Sequence, residues 1–376
     1  MRPATTAAVA ATTVLGAGAA AVAVGGRYAG RLAVRPPNDH PLPGDPRLTV
    51  HSVGGDRITL TRTLASLRPG LYGLAGPGCH AVVGPVVRDA VHTPDTVVRR
   101  LERVTYGTLT PGARLRMTPQ VYVGDPRDAF GYECADAEIA GDLGPLPAWF
   151  LPGSRETWMI LVHGLATTRE HPMVLMPLLH RAHLPVLAPA YRGDPGAPAS
   201  ADGTSHLGAA EWRDVEAAIG HAVRHGARRI VLYGWSTGAT MALKAALHTA
   251  HPDRVCGLVL DSPVLDWRAT VRNLAAARHV PHALLPLAVR AAEGMTGVAA
   301  DELGELARAA GLDVPTLLFH GPDDTLAPWQ ASRDLAARHP SRVALQTVPH
   351  APHAAMWNAD PEHYEEVLRR FLTPLV

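Results

Sequence analysis

One serine, flanked on each side by a glycine two residues away, has the surroundings of a nucleophile. Residues 234–238 read Gly-Trp-Ser-Thr-Gly, a G-x-S-x-G pentapeptide. In this pattern a strand turns into a helix within two residues and leaves the serine at the tip in a strained conformation. Apolar residues precede the motif and helix formers follow it, which predicts a strand over 230–233 and a helix over 237–247. Ser236 is therefore the candidate nucleophile, and the amide of Thr237, at the start of that helix, is a candidate oxyanion donor.

A serine hydroxyl needs a base, and the base needs an orienting acid. After an elbow of this kind the expected order along the chain is serine, acid, histidine. Residues 316–319 predict a buried strand, and the loop that follows carries Asp323 and Asp324. Either carboxylate could serve, and Asp261, at the end of the predicted strand 255–260, is a further candidate.

The candidate base follows the next predicted strand, over residues 343–348. The loop after it contains His350 and His353, and the residues alone leave both open. The two histidines are not a credible metal pair, because no third ligand stands nearby. No cofactor or metal is expected for this chemistry.

Strand–helix alternation from about residue 132 onward is what places these side chains at successive strand ends. It predicts an α/β fold with a mostly parallel sheet covered by helices on both faces. The interval 264–314 is too long for an ordinary connection and predicts a small helical cap over the site. The predicted elements are a hairpin over 133–150, strands at 159–162, 185–188, 230–233, 255–260, 316–319 and 343–348, and helices at 207–225, 237–247 and 361–372.

The N-terminal third is different in character. Residues 36–131 consist of short apolar stretches separated by Gly and Pro turns, which predicts a β-rich extension. Residues 1–35 include a long uncharged stretch rich in alanine, which we interpret as a membrane anchor or a secretory signal. We therefore expect three parts, 1–35, 36–131 and 132–376, in a protein that is membrane-anchored or exported.

The part from 132 to 376 resembles the α/β-hydrolase superfamily, particularly bacterial serine esterases and peptidase-like hydrolases. The family pattern His-Gly-x-x-Asp, followed by a proline, aligns with His320, Gly321 and Pro328, and this resemblance selects Asp324 as the acid. The last family motif is a histidine followed by small and aromatic residues before the final helix. That motif matches residues 353–357 and selects His353 as the base.

The resemblance also implies a second oxyanion donor. Residues 163–165 follow a predicted strand and read His-Gly-Leu, similar to the His-Gly-x oxyanion loop of the superfamily. The backbone amide of Leu165 is the donor that this similarity implies. His163, which precedes the glycine, has a structural position in the family.

Composition narrows the classes of function. The chain has 376 residues, 47% of them hydrophobic, and 35 basic against 34 acidic side chains. The charge balance argues against a dedicated nucleic-acid binder, and the apolar fraction is large enough for a core and argues against disorder. We predict a serine hydrolase, carboxylesterase-like, acting on a small-molecule or lipid-like acyl substrate. The alternatives are a peptidase or thioesterase with the same triad and a catalytically silent hydrolase fold used for binding.

Overall fold

The structure, a computed structural model, is built on two sheets of different kinds. The first is a closed six-stranded antiparallel barrel, and the second is an eight-stranded mixed sheet. The structure describes residues 24–31, 33–34, 46–90, 93–200, 202–298, 304 and 308–376.

The barrel occupies the N-terminal part, where alternating apolar residues predicted strands. Its strands run in the order β1-β2-β5-β4-β3-β6, and their inward-facing Leu, Ile, Val and Ala side chains form a core of their own. The expected β-rich extension is thus confirmed. The strands are β1 (Leu48–Gly54), β2 (Arg57–Thr61), β3 (Tyr72–Gly76), β4 (Cys79–Val86), β5 (Thr96–Tyr106) and β6 (Arg114–Thr118).

The second sheet has the order β14-β13-β12-β11-β9-β10-β8-β7. The hairpin β7–β8 is antiparallel and β8 pairs antiparallel with β10, whereas β9 to β14 pair in parallel. Every residue of β9 is buried, as expected for a strand covered on both faces. The predicted fold class is confirmed. These strands are β7 (Ala135–Gly141), β8 (Gly144–Leu151), β9 (Thr157–Val162), β10 (Val186–Pro189), β11 (Arg229–Trp235), β12 (Val255–Asp261), β13 (Thr316–His320) and β14 (Val343–Thr347).

Helices cover this sheet. One of them, predicted over 207–225, begins later, because the buried Glu211 carboxylate accepts hydrogen bonds from the backbone N–H groups of His206 and Gly208 and holds them in a turn. The helices are α1 (Pro126–Phe130), α2 (Met176–Arg181), α3 (Trp212–Arg224), α4 (Thr237–His248), α5 (Trp267–Ala277), α6 (Leu285–Thr296), α7 (Trp329–Arg338), α8 (Met356–Ala359) and α9 (Pro361–Leu372).

Helices α5 and α6 lie in the interval expected to form a cap, and residues 24–31 form a helix that packs against it. A Cβ added at Gly30 would lie 2.8 Å from the backbone oxygen of Ala288, so glycine permits this close approach. Residues 1–23 of the expected anchor or signal segment lie outside the described residues. Within the described ranges, no helix is long and apolar enough to cross a membrane. The localisation stays a prediction.

The barrel is hydrogen-bonded to the segment that follows the candidate base. The Asn358 side chain, 1% exposed, donates to the carbonyl oxygens of Leu71 and Pro119 at 2.8 and 3.0 Å. The Leu71 N–H donates to the Asn358 carbonyl at 2.8 Å. Gly124, in the segment that follows β6, donates its N–H to the Glu170 carboxylate at 2.7 Å. The barrel is therefore attached next to the loop that carries His353.

Candidate active site

The serine of the pentapeptide lies between β11 and α4 with φ 53° and ψ −119°. A Cβ added at Gly234 would lie 2.3 Å from the Gly238 carbonyl oxygen, and one added at Gly238 would lie 2.2 Å from the Val162 carbonyl oxygen. Only glycine fits at either position. The two glycines thus let Ser236 sit on a sharp turn at the carboxyl end of the central strand, as the sequence pattern predicted.

A continuous hydrogen-bonded chain joins the three candidate catalytic side chains. Ser236 Oγ lies 2.6 Å from His353 Nε2, and His353 Nδ1 lies 2.7 Å from Asp324 Oδ2. Serine and carboxylate therefore occupy opposite sides of one imidazole, the arrangement in which a serine can pass its proton to a base.

The Asp324 carboxylate is buried and fully occupied by donors. Its Oδ1 accepts the backbone N–H groups of Leu326 and Ala327, each at 2.9 Å. Its Oδ2 lies 2.9 Å from His320 Nε2 in addition to its contact with His353. Burial raises the pKa of Asp324, but the two imidazoles outweigh that effect and hold the pKa well below its usual range. The group is ionised at neutral pH.

The contact with Asp324 also changes the pKa of the His353 imidazole. Burial lowers its pKa, the charge of Asp324 and the hydrogen bond to it raise the pKa, and the net pKa lies above the ordinary histidine value. The contact with Asp324 therefore makes the His353 imidazole a stronger base than a buried histidine without a carboxylate would be.

The alternative acids and base have other partners. Asp323 Oδ2 accepts the backbone N–H of His350 at 2.8 Å, so the Asp323 carboxylate joins the two loops. Asp261 is completely buried, and its carboxylate accepts hydrogen bonds from Tyr364 and Ser262 rather than from a histidine. Burial raises the pKa of Asp261 to about 7.

One candidate oxyanion donor is next to Ser236 in the sequence, and the other is in a loop that packs against Ser236. Thr237 directly follows Ser236 as the first residue of α4. Leu165 is buried and lines the same cleft as Ser236. A Cβ added at Gly164 would lie 2.9 Å from the Ser236 Cβ, so glycine brings this loop against the serine. His163 Nε2 is 2.9 Å from the Asp194 carboxylate. The ring of His163 therefore makes a structural contact with Asp194.

Two supporting residues were not singled out from the sequence. His320 was used as an alignment landmark, yet its Nδ1 contacts Ser332 Oγ at 2.7 Å and its Nε2 contacts the acid. Its i, i+4 spacing to Asp324 at a strand end was the available signal. Ser262 Oγ accepts the Ala354 N–H at 3.1 Å and thereby fixes the loop of the base. That contact spans 92 residues of sequence and has no local signal.

The site opens into a cleft of about 2030 Å³. The barrel, the cap and the catalytic loops each contribute side chains to its wall. This volume exceeds that of ordinary small-molecule pockets. Within the described ranges, no group of three or more His, Cys, Asp or Glu side chains is placed to hold a metal ion.

Comparisons with known proteins agree with this geometry. Residues 157–279 match a family model described as the alpha/beta hydrolase fold, and residues 49–118 match one described as a domain of unknown function. The chain has the α/β-hydrolase fold. The resemblance drawn from its motifs is therefore confirmed, and the matched segment contains the nucleophile turn and the loop of Leu165.

Two solved structures of one esterase have the same fold. The esterase Pf2001 of Pyrococcus furiosus is 21% identical over 68% of this chain and 94% of its own, with a TM-score of 0.56. A second crystal form of that esterase gives 20% identity, 68% and 97% coverage, and a TM-score of 0.54. The mouse alpha/beta hydrolase domain-containing protein 10 is 16% identical, with coverage of 65% and 100% and a TM-score of 0.48. No curated protein sequence matches the chain.

Proposed function

We propose that this hydrolase cleaves acyl esters through a covalent acyl-enzyme formed on Ser236. The observation that carries the proposal is the unbroken chain of hydrogen bonds from Ser236 through His353 to Asp324, with heavy-atom distances of 2.6 and 2.7 Å. Both distances lie within the range for proton transfer between a nucleophile, its base and the orienting acid. The name of the esterase Pf2001 favours an ester as the bond cleaved.

In the first half of the reaction, His353 Nε2 takes the proton of Ser236 Oγ as that oxygen attacks the ester carbonyl carbon. The tetrahedral oxyanion lies against the backbone N–H groups of Thr237 and Leu165. The intermediate collapses when Nε2 returns the proton to the leaving alcohol, and the acyl group stays on the serine. Asp324 keeps Nδ1 protonated and stabilises the imidazolium that forms.

In the second half, a water molecule takes the place of the alcohol. Nε2 of His353 removes its proton while the water oxygen attacks the acyl carbon. Collapse of the second tetrahedral intermediate releases the carboxylic acid and returns the proton to Ser236. The reaction consumes one ester and one water, and it needs no cofactor.

Three kinds of substrate and one variant test the proposal. Turnover of p-nitrophenyl esters of increasing chain length is measured beside aminoacyl p-nitroanilides and a thioester. We expect ester turnover, with a loss on the order of a millionfold in Ser236→Ala, because the triad acts as a unit. Ester hydrolysis near the wild-type rate in that variant would overturn the assignment, and faster turnover of anilides or thioesters would replace the esterase by a peptidase or thioesterase.

A further inference from the structure

Arginine side chains from two different modules face the cleft that contains the candidate nucleophile. Arg114 and Arg116 come from β6 of the barrel, and Arg278 lies at the C-terminal end of α5 in the cap. In all, six arginines and two carboxylates line this cleft, so its wall carries an excess of positive charge. A cleft lined by one sign of charge raises the local concentration of ligands of the opposite sign.

Both carboxylates of the wall are already engaged. Glu170 accepts the backbone N–H of Gly124 at 2.7 Å and a hydrogen bond from the Gln120 side chain. Asp194 accepts the N–H of Tyr191 at 2.8 Å and contacts the His163 ring. None of these contacts involves Arg114, Arg116 or Arg278.

Arg192, which also lines the cleft, is paired with carboxylates. The Arg192 guanidinium is 2.6 Å from a carboxylate oxygen of Asp214 and 2.6 Å from one of Asp142. Within the described ranges, Arg114, Arg116 and Arg278 make no ion pair of this kind.

The two central guanidiniums of this group are partly buried. The Nε atom of Arg116 is buried and has no hydrogen-bond partner in the described part of the chain. Arg278 is half-buried, and burial lowers its pKa with no carboxylate to oppose the effect. Removing a charged group from water without a partner costs free energy. Two such groups in one cleft are available to bind a ligand that carries negative charge.

We propose that the cleft binds a negatively charged group, a carboxylate or phosphate, carried by the ester substrate at a distance from the bond that is cleaved. This inference rests on the proposed function and adds the class of substrate to it. Arg116 and Arg278 hold the anion, because a guanidinium donates paired hydrogen bonds that match both groups. Arg114, on the same strand as Arg116, adds to the positive electrostatic potential of the cleft. The apolar side chains of Met117 and Leu326 line the same cleft and suit the hydrocarbon part of such an ester.

The hydrogen bonds between the barrel and the segment after His353 fit this arrangement. Arg116 belongs to the barrel and Arg278 to the cap, so the anion contacts parts of the chain that are far apart in sequence. The contacts of Asn358 with Leu71 and Pro119 hold the barrel against the loop of His353. A substrate bound between the two arginines is thereby held in a fixed position relative to the catalytic side chains.

The test compares two esters of nearly equal size that differ in charge. These are 4-nitrophenyl hexanoate, which is neutral, and 4-nitrophenyl hydrogen adipate, which ends in a carboxylate. We expect kcat/KM to favour the adipate ester by roughly tenfold or more, through a lower KM, as for a hydrogen bond to a charged group. The preference should shrink as salt is added. Arg116→Gln and Arg278→Gln should each reduce the ratio of the two kcat/KM values roughly tenfold.

The controls separate anion recognition from general damage. Arg272→Gln removes an exposed arginine of the same helix α5 that does not line the cleft, and it should keep the wild-type ratio. Arg116→Lys keeps the charge and should retain part of the preference. A wild-type preference for the neutral ester would overturn the inference, and so would Gln variants that fold and keep the wild-type ratio.

A binding experiment tests the anion site independently of the proposed function. If neither ester is turned over and a fluorophosphonate fails to label Ser236, the proposed function fails. Binding of monomethyl adipate to Ser236→Ala, measured by calorimetry against methyl hexanoate, then still tests the anion site, and equal binding of the two would overturn it. Sedimentation with phosphatidylglycerol vesicles, but not with phosphatidylcholine vesicles, would support a lipid headgroup as the source of the anion, provided that Arg116→Gln abolishes it.

Discussion

Replacing Asp324 with asparagine tests how the carboxylate sets the tautomer of the base. Asparagine keeps an oxygen that can accept the N–H groups of Leu326 and Ala327, so the loop should retain its shape. Its amide NH₂ takes the place of Oδ2, which lies 2.7 Å from His353 Nδ1. An NH₂ group donates to Nδ1, the proton of the neutral ring moves to Nε2, and Nε2 can no longer accept the proton of Ser236.

The expected loss is on the order of ten-thousandfold in kcat, which is the size known for an acid-to-amide change in such a triad. This corresponds to about 5.4 kcal/mol of transition-state stabilisation. The assay is hydrolysis of p-nitrophenyl acetate with Ser236→Ala as the background, together with thermal unfolding to show that the variant folds. Asp323→Asn is the matched control, because its carboxylate accepts the N–H of His350 and contacts no histidine ring within the described ranges, and it should lose far less activity.

Two results would refute this reasoning. A folded Asp324→Asn variant within tenfold of the wild-type rate would show that the carboxylate does not set the tautomer. A much larger loss in Asp323→Asn than in Asp324→Asn would place the acid one residue earlier.

Three further predictions concern the base and the barrel contact. His353→Ala should abolish ester hydrolysis whereas His350→Ala should retain most of it, and the opposite result in initial-rate assays would move the base three residues back. The kcat/KM of the wild type should rise with pH through an apparent pKa above about 6.5, since the net pKa of His353 is raised and only the neutral ring is a base; a limb below that value in a pH–rate profile would contradict the geometry. Gly70→Ala should destabilise the protein by about 2–4 kcal/mol in chemical denaturation, because its φ is 86° and a Cβ would lie 1.9 Å from the Asn358 carbonyl oxygen. Gly112→Ala, with φ 87° and no atom within 4 Å of the added Cβ, is the control and should cost less; equal losses would show that the barrel contact contributes nothing.

The parts of the fold that could be predicted are those whose signal is local. The strand before Ser236 is a short apolar run between polar residues, and the glycines around the serine permit only a sharp turn. The acid and base follow strand ends because the carboxyl ends of parallel strands meet at one edge of a sheet. Sequence order therefore predicted which residues the structure brings together, although the residues alone did not choose between Asp323 and Asp324.

What could not be predicted depends on contacts between distant segments. Nothing local in the sequence indicates that six short strands close into a barrel, or that Asn358 donates to Leu71, 287 residues away. The start of α3 was misplaced for a related reason. The helical pattern continues through Leu207, but the carboxylate of Glu211 accepts backbone N–H groups there and stabilises a turn instead.

The central claim, that Ser236 carries the acyl group, is tested most directly by mass spectrometry of the intact protein. The protein is treated with a fluorophosphonate, and separately quenched in acid during turnover of a p-nitrophenyl ester. We predict one added phosphonyl or acyl group per chain, located on the peptide that contains Ser236. The adduct should be absent in Ser236→Ala, and its formation should be much slower in His353→Ala. Ester turnover by the wild type without any adduct, or an adduct on another residue that persists in Ser236→Ala, would contradict the account.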